Sequence, residues 1–318
     1  MKLNIFSKLT LFCSCVLLSF SAWSADISSA QNLLVKMTEA KDKLNYEMSF
    51  ISGSAVDIHA LQYRHVIEDK KHYAQLTSLD GRPKEIIQRD NLVSYFIANT
   101  QPVTIQGNAI VDDLPALMGN NFEQLAQHYD FVLIGKNRVA GRIAQGIRIL
   151  PKDDFRYQYV VFVDEESGLL LQSHLLDRDG NLLEQFRVIN LYVGDSFTGL
   201  VEYLNKEPFP PLIEQVKSQP ELNWKPEWLP AGFKKINQSI GSLTEEENEK
   251  VENQLYSDGL FSFSLYVSNA SDPESLNNLW LNGVNTVYSE VIQGKEVTFV
   301  GRLPLSTAKR IIRDIRFQ

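Results

Sequence analysis

The chain has 318 residues, 44% of them hydrophobic, 22% charged and 10% aromatic, with 31 basic residues against 39 acidic ones and a net charge of −8. These proportions exclude a disordered tail, a collagen-like rod and a polytopic membrane protein, and the length suits about two domains. The acidic balance argues against general affinity for nucleic acid or an anionic membrane, both of which draw on clustered positive charge, while leaving room for a local basic patch.

Lys2 and Lys8 precede an apolar stretch from Leu9 to Ala22, and Ala22-Trp23-Ser24 offers small residues at the positions a signal peptidase reads. Residues 1–24 therefore read as a secretory signal, cleaved between Ser24 and Ala25. The stretch is too short for a spanning helix, which needs about 20 residues. Cys13 and Cys15 lack the small residues that precede a lipidated cysteine and leave with the signal, so the mature chain has neither a disulfide nor a thiol nucleophile.

Leu33, Leu34, Met37 and Leu44 give the segment Ala30 to Leu44 one apolar stripe, predicting an amphipathic helix that packs on a sheet. Alternating runs come next: Tyr46 to Ile51, Val56 to Ile67, His72 to Leu79, Glu85 to Arg89, Leu92 to Ala98, Phe131 to Gly135, Arg138 to Leu150, Arg156 to Asp164, Leu169 to Leu176 and Leu183 to Val193. Short connectors such as Asp80-Gly81-Arg82-Pro83, Gly135-Lys136-Asn137 and Asp179-Gly180-Asn181 predict hairpins, hence an antiparallel meander. So many strands cannot stay flat, and a helix predicted over Leu114 to Tyr129 would cover the concave side of a curled sheet. Such a sheet can enclose an apolar cavity.

The alternation stops between Asn205 and Trp224, where Lys206-Glu207-Pro208-Phe209-Pro210-Pro211 reads as a stiff linker. The predicted organisation is a domain over 25–205, a linker over 206–222 and a smaller α+β domain over 223–318. In the latter, Gln254 to Val267, Val284 to Ile292 and Glu296 to Arg302 read as strands, and Thr244 to Glu252 as a loop or short solvated helix. Ala308, Ile311, Ile312 and Ile315 predict a terminal helix with a basic outer face. The fold class expected is α+β, mainly β.

Catalytic signatures are missing from the sequence. His59, His65, His72, His128 and His174 form no HExxH or HxH pattern; His59 and His65 share a strand face but lie about 20 Å apart, too far for one ion. No GxSxG, GxGxxG or Walker A loop occurs, and Asp112-Asp113, Asp153-Asp154 and Glu165-Glu166 read as solvated turns. No metal or cofactor is expected, and a binding protein is favoured over an enzyme. Two aromatic concentrations stand out. Trp224 to Phe233 suits either an interface or the cap of the small domain's core, and the strand carrying Phe261, Phe263, Leu265 and Val267 reads foremost as core.

Leu44-Asn45-Tyr46-Glu47-Met48-Ser49-Phe50-Ile51, Tyr129-Asp130-Phe131, Leu175-Leu176-Asp177-Arg178-Asp179-Gly180, Trp228-Leu229-Pro230-Ala231-Gly232-Phe233 and Leu255-Tyr256-Ser257-Asp258-Gly259-Leu260-Phe261-Ser262-Phe263-Ser264 resemble the RseB/MucB family, in order, across the whole mature chain. The resemblance implies a LolA/LolB-like unclosed antiparallel β-barrel with helices over an apolar mouth, with a smaller C-terminal domain after it. It implies a periplasmic regulator of the sigma-E envelope stress response that binds the periplasmic part of the anti-sigma factor RseA. The resemblance further implies that binding shields RseA from the protease DegS and that lipopolysaccharide or mislocalised lipoprotein relieves the shielding. On that basis Leu114, Leu117, Met118, Phe122 and Leu125 are candidate lipid-gate residues, although Met118-Gly119-Asn120-Asn121 departs from the family's pattern. Trp228, Phe233, Tyr256, Phe261, Arg302, Arg310 and Arg313 are candidate partner-binding residues. The alternative from the cavity alone is a lipid or lipoprotein carrier like LolA, which would not need the C-terminal domain; a hydrolase lacks a triad. Homo-oligomerisation is left open.

Overall fold

The computed structural model describes residues 21–54, 56–195, 198–206, 208–213, 220–242, 250–270, 278–282 and 284–317. The predicted signal peptide lies mostly outside them, and helix α1 runs Ser21–Lys43. Eleven strands come after it: β1 Tyr46–Gly53, β2 Ile58–Glu68, β3 Lys71–Ser78, β4 Lys84–Arg89, β5 Leu92–Ile97, β6 Val103–Gln106, β7 Tyr129–Val139, β8 Arg142–Pro151, β9 Gln158–Asp164, β10 Leu170–Leu176 and β11 Leu182–Val193. They form one antiparallel sheet in the order β6-β5-β4-β3-β2-β1-β11-β10-β9-β8-β7, so β6 and β7 are edges and the barrel is not closed. The curling is strong: β7 comes up against β11, four strands away, which would stand about 19 Å off in a flat sheet.

Alternation decides which side is filled. On β1, Tyr46, Met48 and Phe50 point inward, where Phe50 meets Phe186 of β11 at 4.9 Å. The inner face receives α1, whose Ala30, Leu34 and Met37, at i, i+4 and i+7, are buried as the predicted stripe requires, with Leu33 and Leu44 half-buried at its margins. A helix that the alternation pattern does not show, α3 (Thr198–Lys206), covers the outer face through Leu200, Val201 and Leu204 against Val66 and Ile87. The chain then returns to the sheet edge. Thr104 donates from its amide to Pro211 O (2.9 Å) and from its hydroxyl to Pro210 O (2.9 Å), Ile213 N donates to Thr104 O (2.8 Å), and Arg89 lies over the Phe209 ring at 3.8 Å. The proline-rich stretch is thus strapped to β6.

Three local expectations are corrected. The predicted turn at Gly135-Lys136-Asn137 is interior to β7; the hairpin turns at Ala140-Gly141, both with positive φ. The glycine instead marks a bulge between Leu133 and Lys136, where Gln145 Nε2 donates to Ile134 O (2.5 Å) and any Cβ on Gly146 would strike Ile134. The predicted helix over Leu114 to Tyr129 is a 3-10 turn, Ala116–Gly119, then a single α-turn, α2 (Phe122–Leu125), with Tyr129 already in β7. Asn121 breaks the run by capping α2, its side chain accepting from the amides of Glu123 and Gln124. The predicted strand Gln254 to Val267 is two strands with a turn between them.

The C-terminal part has a six-stranded antiparallel sheet in the order β13-β14-β15-β18-β17-β16, from β13 (Lys234–Ser242), β14 (Lys250–Ser257), β15 (Ser262–Asn269), β16 (Asn278–Asn282), β17 (Asn285–Ile292) and β18 (Lys295–Gly301). Helix α4 (Leu305–Arg313) packs Ala308, Ile311 and Ile312 on it. Ile315 belongs not to this helix, as the spacing suggests, but to β19 (Ile315–Phe317), which pairs with β12 (Trp224–Pro226). Most of the predicted loop or helix Thr244 to Glu252 lies outside the described residues; Lys250–Glu252 open β14. One continuous apolar core runs through both sheets.

His65 is buried: its Nδ1 lies 2.8 Å from Leu44 O at the end of α1, and its Nε2 lies 3.2 Å from His72 Nδ1. Burial lowers its pKa from 6.5 against the opposing pull of the Leu44 carbonyl. The unfolded chain then binds more protons than the folded one below that value, so stability is present above it and declines as pH falls toward the lowered pKa. Urea unfolding should give a lower midpoint at about pH 5.5 than at about pH 7.5, and His65→Gln should flatten the difference. Leu34→Ala, which empties a fully buried site between α1 and the sheet, should remove about 2–5 kcal/mol in the same assay.

Candidate functional site

The loop after β8 and the C-terminal part meet around one carboxylate. Asp258 sits in the tight turn between β14 and β15, and its Oδ1 accepts from the amides of Leu260 (2.9 Å) and Phe261 (2.7 Å). Its Oδ2 accepts from Arg156 Nη1 (2.9 Å) and from the Tyr129 hydroxyl (2.5 Å). All the acceptor capacity of the carboxylate is used, and both it and Arg156 have fully buried side chains. Arg156 also donates to Asp153 Oδ2 (2.8 Å) and to Ala231 O, and lies between the Tyr129 ring (5.2 Å) and the Phe233 ring (5.4 Å). Burial, and then Asp258, push the Tyr129 phenol far above its ordinary range, so it stays a proton donor.

Around this centre the joint is closed by rings. Tyr159 of β9 stacks on Phe261 (5.7 Å), Phe155 meets Trp228 edge-on (4.8 Å), and Arg310 of α4 lies over Trp228 at 3.7 Å and Phe155 at 5.2 Å. Thr307 Oγ1 donates to Phe155 O (3.0 Å) and Arg302 to Glu184 (3.1 Å). Gly232, at φ +90°, packs where a Cβ would strike the His128 ring. At one end of the joint a cleft of about 430 Å³ opens between the β1–β2 turn, the approach to the 3-10 turn and the C-terminal sheet. Asp57, His59, Asp113, Glu184, Asn285 and Arg302 make its lining largely polar.

The candidate gate residues are placed together. Leu117, Met118, Phe122 and Leu125 are buried in the core under the 3-10 turn and α2, and Leu114 lines the cleft half-buried. Phe122 packs edge-on against Phe131 (5.7 Å), and Gln31 of α1 donates to the Phe122 carbonyl (3.3 Å). Of the candidate partner residues, Trp228, Phe233, Phe261, Arg302 and Arg310 converge on the joint; Phe233 and Phe261 are buried in it. Tyr256 is not there, being stacked on Phe263 (5.1 Å) inside the C-terminal core, and Arg313 faces outward, 3.9 Å from Glu290. Sequence reasoning missed the central set of Tyr129, Arg156 and Asp258. The usable signal was Arg156 between Phe155 and Tyr157 at the start of a strand, since an arginine buried among aromatics demands a carboxylate. Among the described residues no group of three His, Cys, Asp or Glu side chains is arranged to hold a metal ion.

Residues 29–213 match the model of the MucB/RseB N-terminal domain and residues 218–316 that of the MucB/RseB C-terminal domain. The chain is 52% identical to the sigma-E factor regulatory protein RseB of Haemophilus influenzae over 95% of this chain and 96% of that relative. Among solved structures it is similar to MucB in the MucA/MucB complex of Pseudomonas aeruginosa, with a TM-score of 0.75 and 27% identity over 91% of this chain and 99% of that one. A second structure, of MucB in complex with MucA(peri), gives 0.74 and 26% over the same shares.

Removing the central carboxylate would take from the fully buried Arg156 one of its two carboxylate partners, leaving Asp153, and from the buried Tyr129 hydroxyl its Asp258 acceptor. Asp258→Ala should therefore lose about 3–5 kcal/mol in urea unfolding. Tyr129→Phe, which keeps the ring, should lose about 1.5 kcal/mol. Midpoints equal to the unmodified chain's would show that the joint carries no stability.

Proposed function

The chain belongs to the MucB/RseB family, and on that premise we propose that it regulates sigma-E by binding the periplasmic part of an anti-sigma factor of the RseA kind. In this reading it is a periplasmic protein, bound RseA is shielded from DegS, and lipopolysaccharide or mislocalised lipoprotein reverses the shielding. Residues 25–205 sense the lipid and 223–318 hold the partner, joined by 206–222.

One observation supports the reading: the segment that carries the candidate gate residues continues directly into the joint. The segment that buries Leu117, Met118, Phe122 and Leu125 runs straight into Tyr129, whose hydroxyl is held by Asp258 of the C-terminal part. An acyl chain entering the sheet's interior must displace those side chains, because the core occupies that space. Their movement pulls on the Tyr129–Asp258–Arg156 network and so on the surface offered to the partner. Reversing occupancy from 1:99 to 99:1 takes a differential affinity of about 5.5 kcal/mol. At about 0.8 kcal/mol per buried CH₂, about seven methylenes bound in one state alone supply it. The carrier reading leaves the C-terminal part without a role, although that part supplies Asp258 and Phe261 to the buried joint.

The test is cleavage of the RseA periplasmic segment by DegS, with and without the purified mature chain, then with lipopolysaccharide fragments added. Protection that the lipid relieves is expected; no protection from a folded sample in excess would reject the regulatory reading. Replacing Leu117 and Phe122 by Ala, which loosens the plug, should lower the lipid concentration needed for release, read in the same assay.

A further inference from the structure

The face of the C-terminal part that borders the joint is basic in an acidic chain. With Ala308, Ile311 and Ile312 buried, α4 turns Arg310 and Arg313 outward on one side, and Lys309 reaches over the Tyr288 ring (5.3 Å). Beyond the helix, exposed Arg316 of β19 stands directly across from exposed Lys225 of β12. Five cations thus share one face of a protein whose net charge is −8. Among the described residues the one ion pair on this face is Arg313 with Glu290, at 3.9 Å.

Arg310 is positioned for recognition. Its guanidinium lies on Trp228 at 3.7 Å and near Phe155 at 5.2 Å. A guanidinium stacked through its face keeps its N–H edge for a bidentate carboxylate, and the stacking has already immobilised the side chain. The two rings beneath come from the two sides of the joint, with Phe155 further fixed by the Thr307 hydroxyl.

We infer that this face docks an acidic, extended segment of the partner polypeptide, lying along α4 over the Phe155–Trp228 seam and paired with Arg310, Arg313, Arg316 and Lys225. The inference rests on the regulatory reading above and gives the partner's contact a chemistry. An anionic membrane fits worse. A helix that lies in a bilayer surface needs an exposed apolar side, and the apolar side of α4 is fully buried. A bilayer is also met by the whole acidic protein, whereas a peptide strand meets only the patch. Because Arg310 rests on both sides of the joint, the dock is complete only while the joint is closed, which makes opening the joint a way to release the segment.

The experiment is fluorescence anisotropy with the full mature chain and two labelled probes, the RseA periplasmic segment and a synthetic Glu/Ser peptide. The double variant Arg313→Gln with Arg316→Gln should raise Kd at least about tenfold for both probes and flatten the salt dependence. Its urea midpoint should fall only slightly, since both side chains are exposed and lose only the pair of Arg313 with Glu290 and the bonds from Arg316 to the Arg313 and Ile315 carbonyls. Arg310→Gln should weaken both probes too, and Lys225→Gln added to the double variant should weaken them further. If the double variant keeps full affinity for the RseA segment while losing the Glu/Ser peptide, the patch is not the partner's dock, and the regulatory reading survives. If the unmodified chain takes the Glu/Ser peptide but not the RseA segment, the regulatory reading falls and the assignment to its partner with it. Binding to phosphatidylglycerol vesicles, abolished by the double variant and stronger than binding to either peptide, would overturn the inference in favour of a membrane.

Discussion

The arrangement of the two halves depends on how the Asp258 carboxylate is satisfied. Two of its bonds come from its own turn and two from the opposite side, from Arg156 and Tyr129. A buried ion pair of this kind contributes little net stability compared with apolar packing, because both ions must be stripped of water. It does penalise every arrangement that leaves one partner alone. The aromatic contacts around it tolerate sliding, whereas four hydrogen bonds to one carboxylate do not. The rings supply apolar contact and the charges choose the geometry.

That division of labour suits a switch. A purely apolar joint can slip by degrees, while a hydrogen-bonded charge network is either made or replaced by water. Tyr129 is the member that links the two regions, as it follows the segment of the candidate gate residues and donates to Asp258. A displacement at Phe122 or Leu125 thus reaches the carboxylate through a few residues of chain, with no long relay across the sheet. The C-terminal turn adjoins the same segment from the other side: a Cβ placed on Gly259 would meet Leu125 and Asn120 at 3.7 Å, an ordinary packing contact.

The sheet was largely legible in the sequence because alternation has a period of two and hairpin connectors are short, which together dictate where strands lie and their antiparallel sense. The helix stripes of α1 and α4 were legible because their apolar residues recur at the 3.6-residue helical period. What escaped was set by single residues acting against a pattern. Asn121 splits an apolar periodicity into two short turns, and Gly146 admits a bulge that carries β7 past Gly135 to Ala140-Gly141. Ile315 continues the helical spacing of α4 yet lies in a strand, opposite Pro226 of β12. The joint itself was illegible in local terms. Asp258 and Arg156 lie 102 positions apart, and each reads alone as an ordinary turn residue or strand end. The aromatic cluster at Trp224 to Phe233 pointed to the right region but left interface and core unresolved, and the structure makes it both.

The strap along β6 limits how far the two halves can separate once the joint opens. With Pro210, Pro211 and Ile213 fastened to Thr104, the covalent connection to β12 is only residues 214–223, which even fully extended reaches at most about 40 Å. A C-terminal half freed from the seam is therefore confined near it, at an effective concentration in the millimolar range. Reclosure is a first-order event that does not depend on how much protein the compartment holds. In the proposed mechanism the joint itself would therefore re-form at any copy number, and only recapture of the partner would depend on concentration.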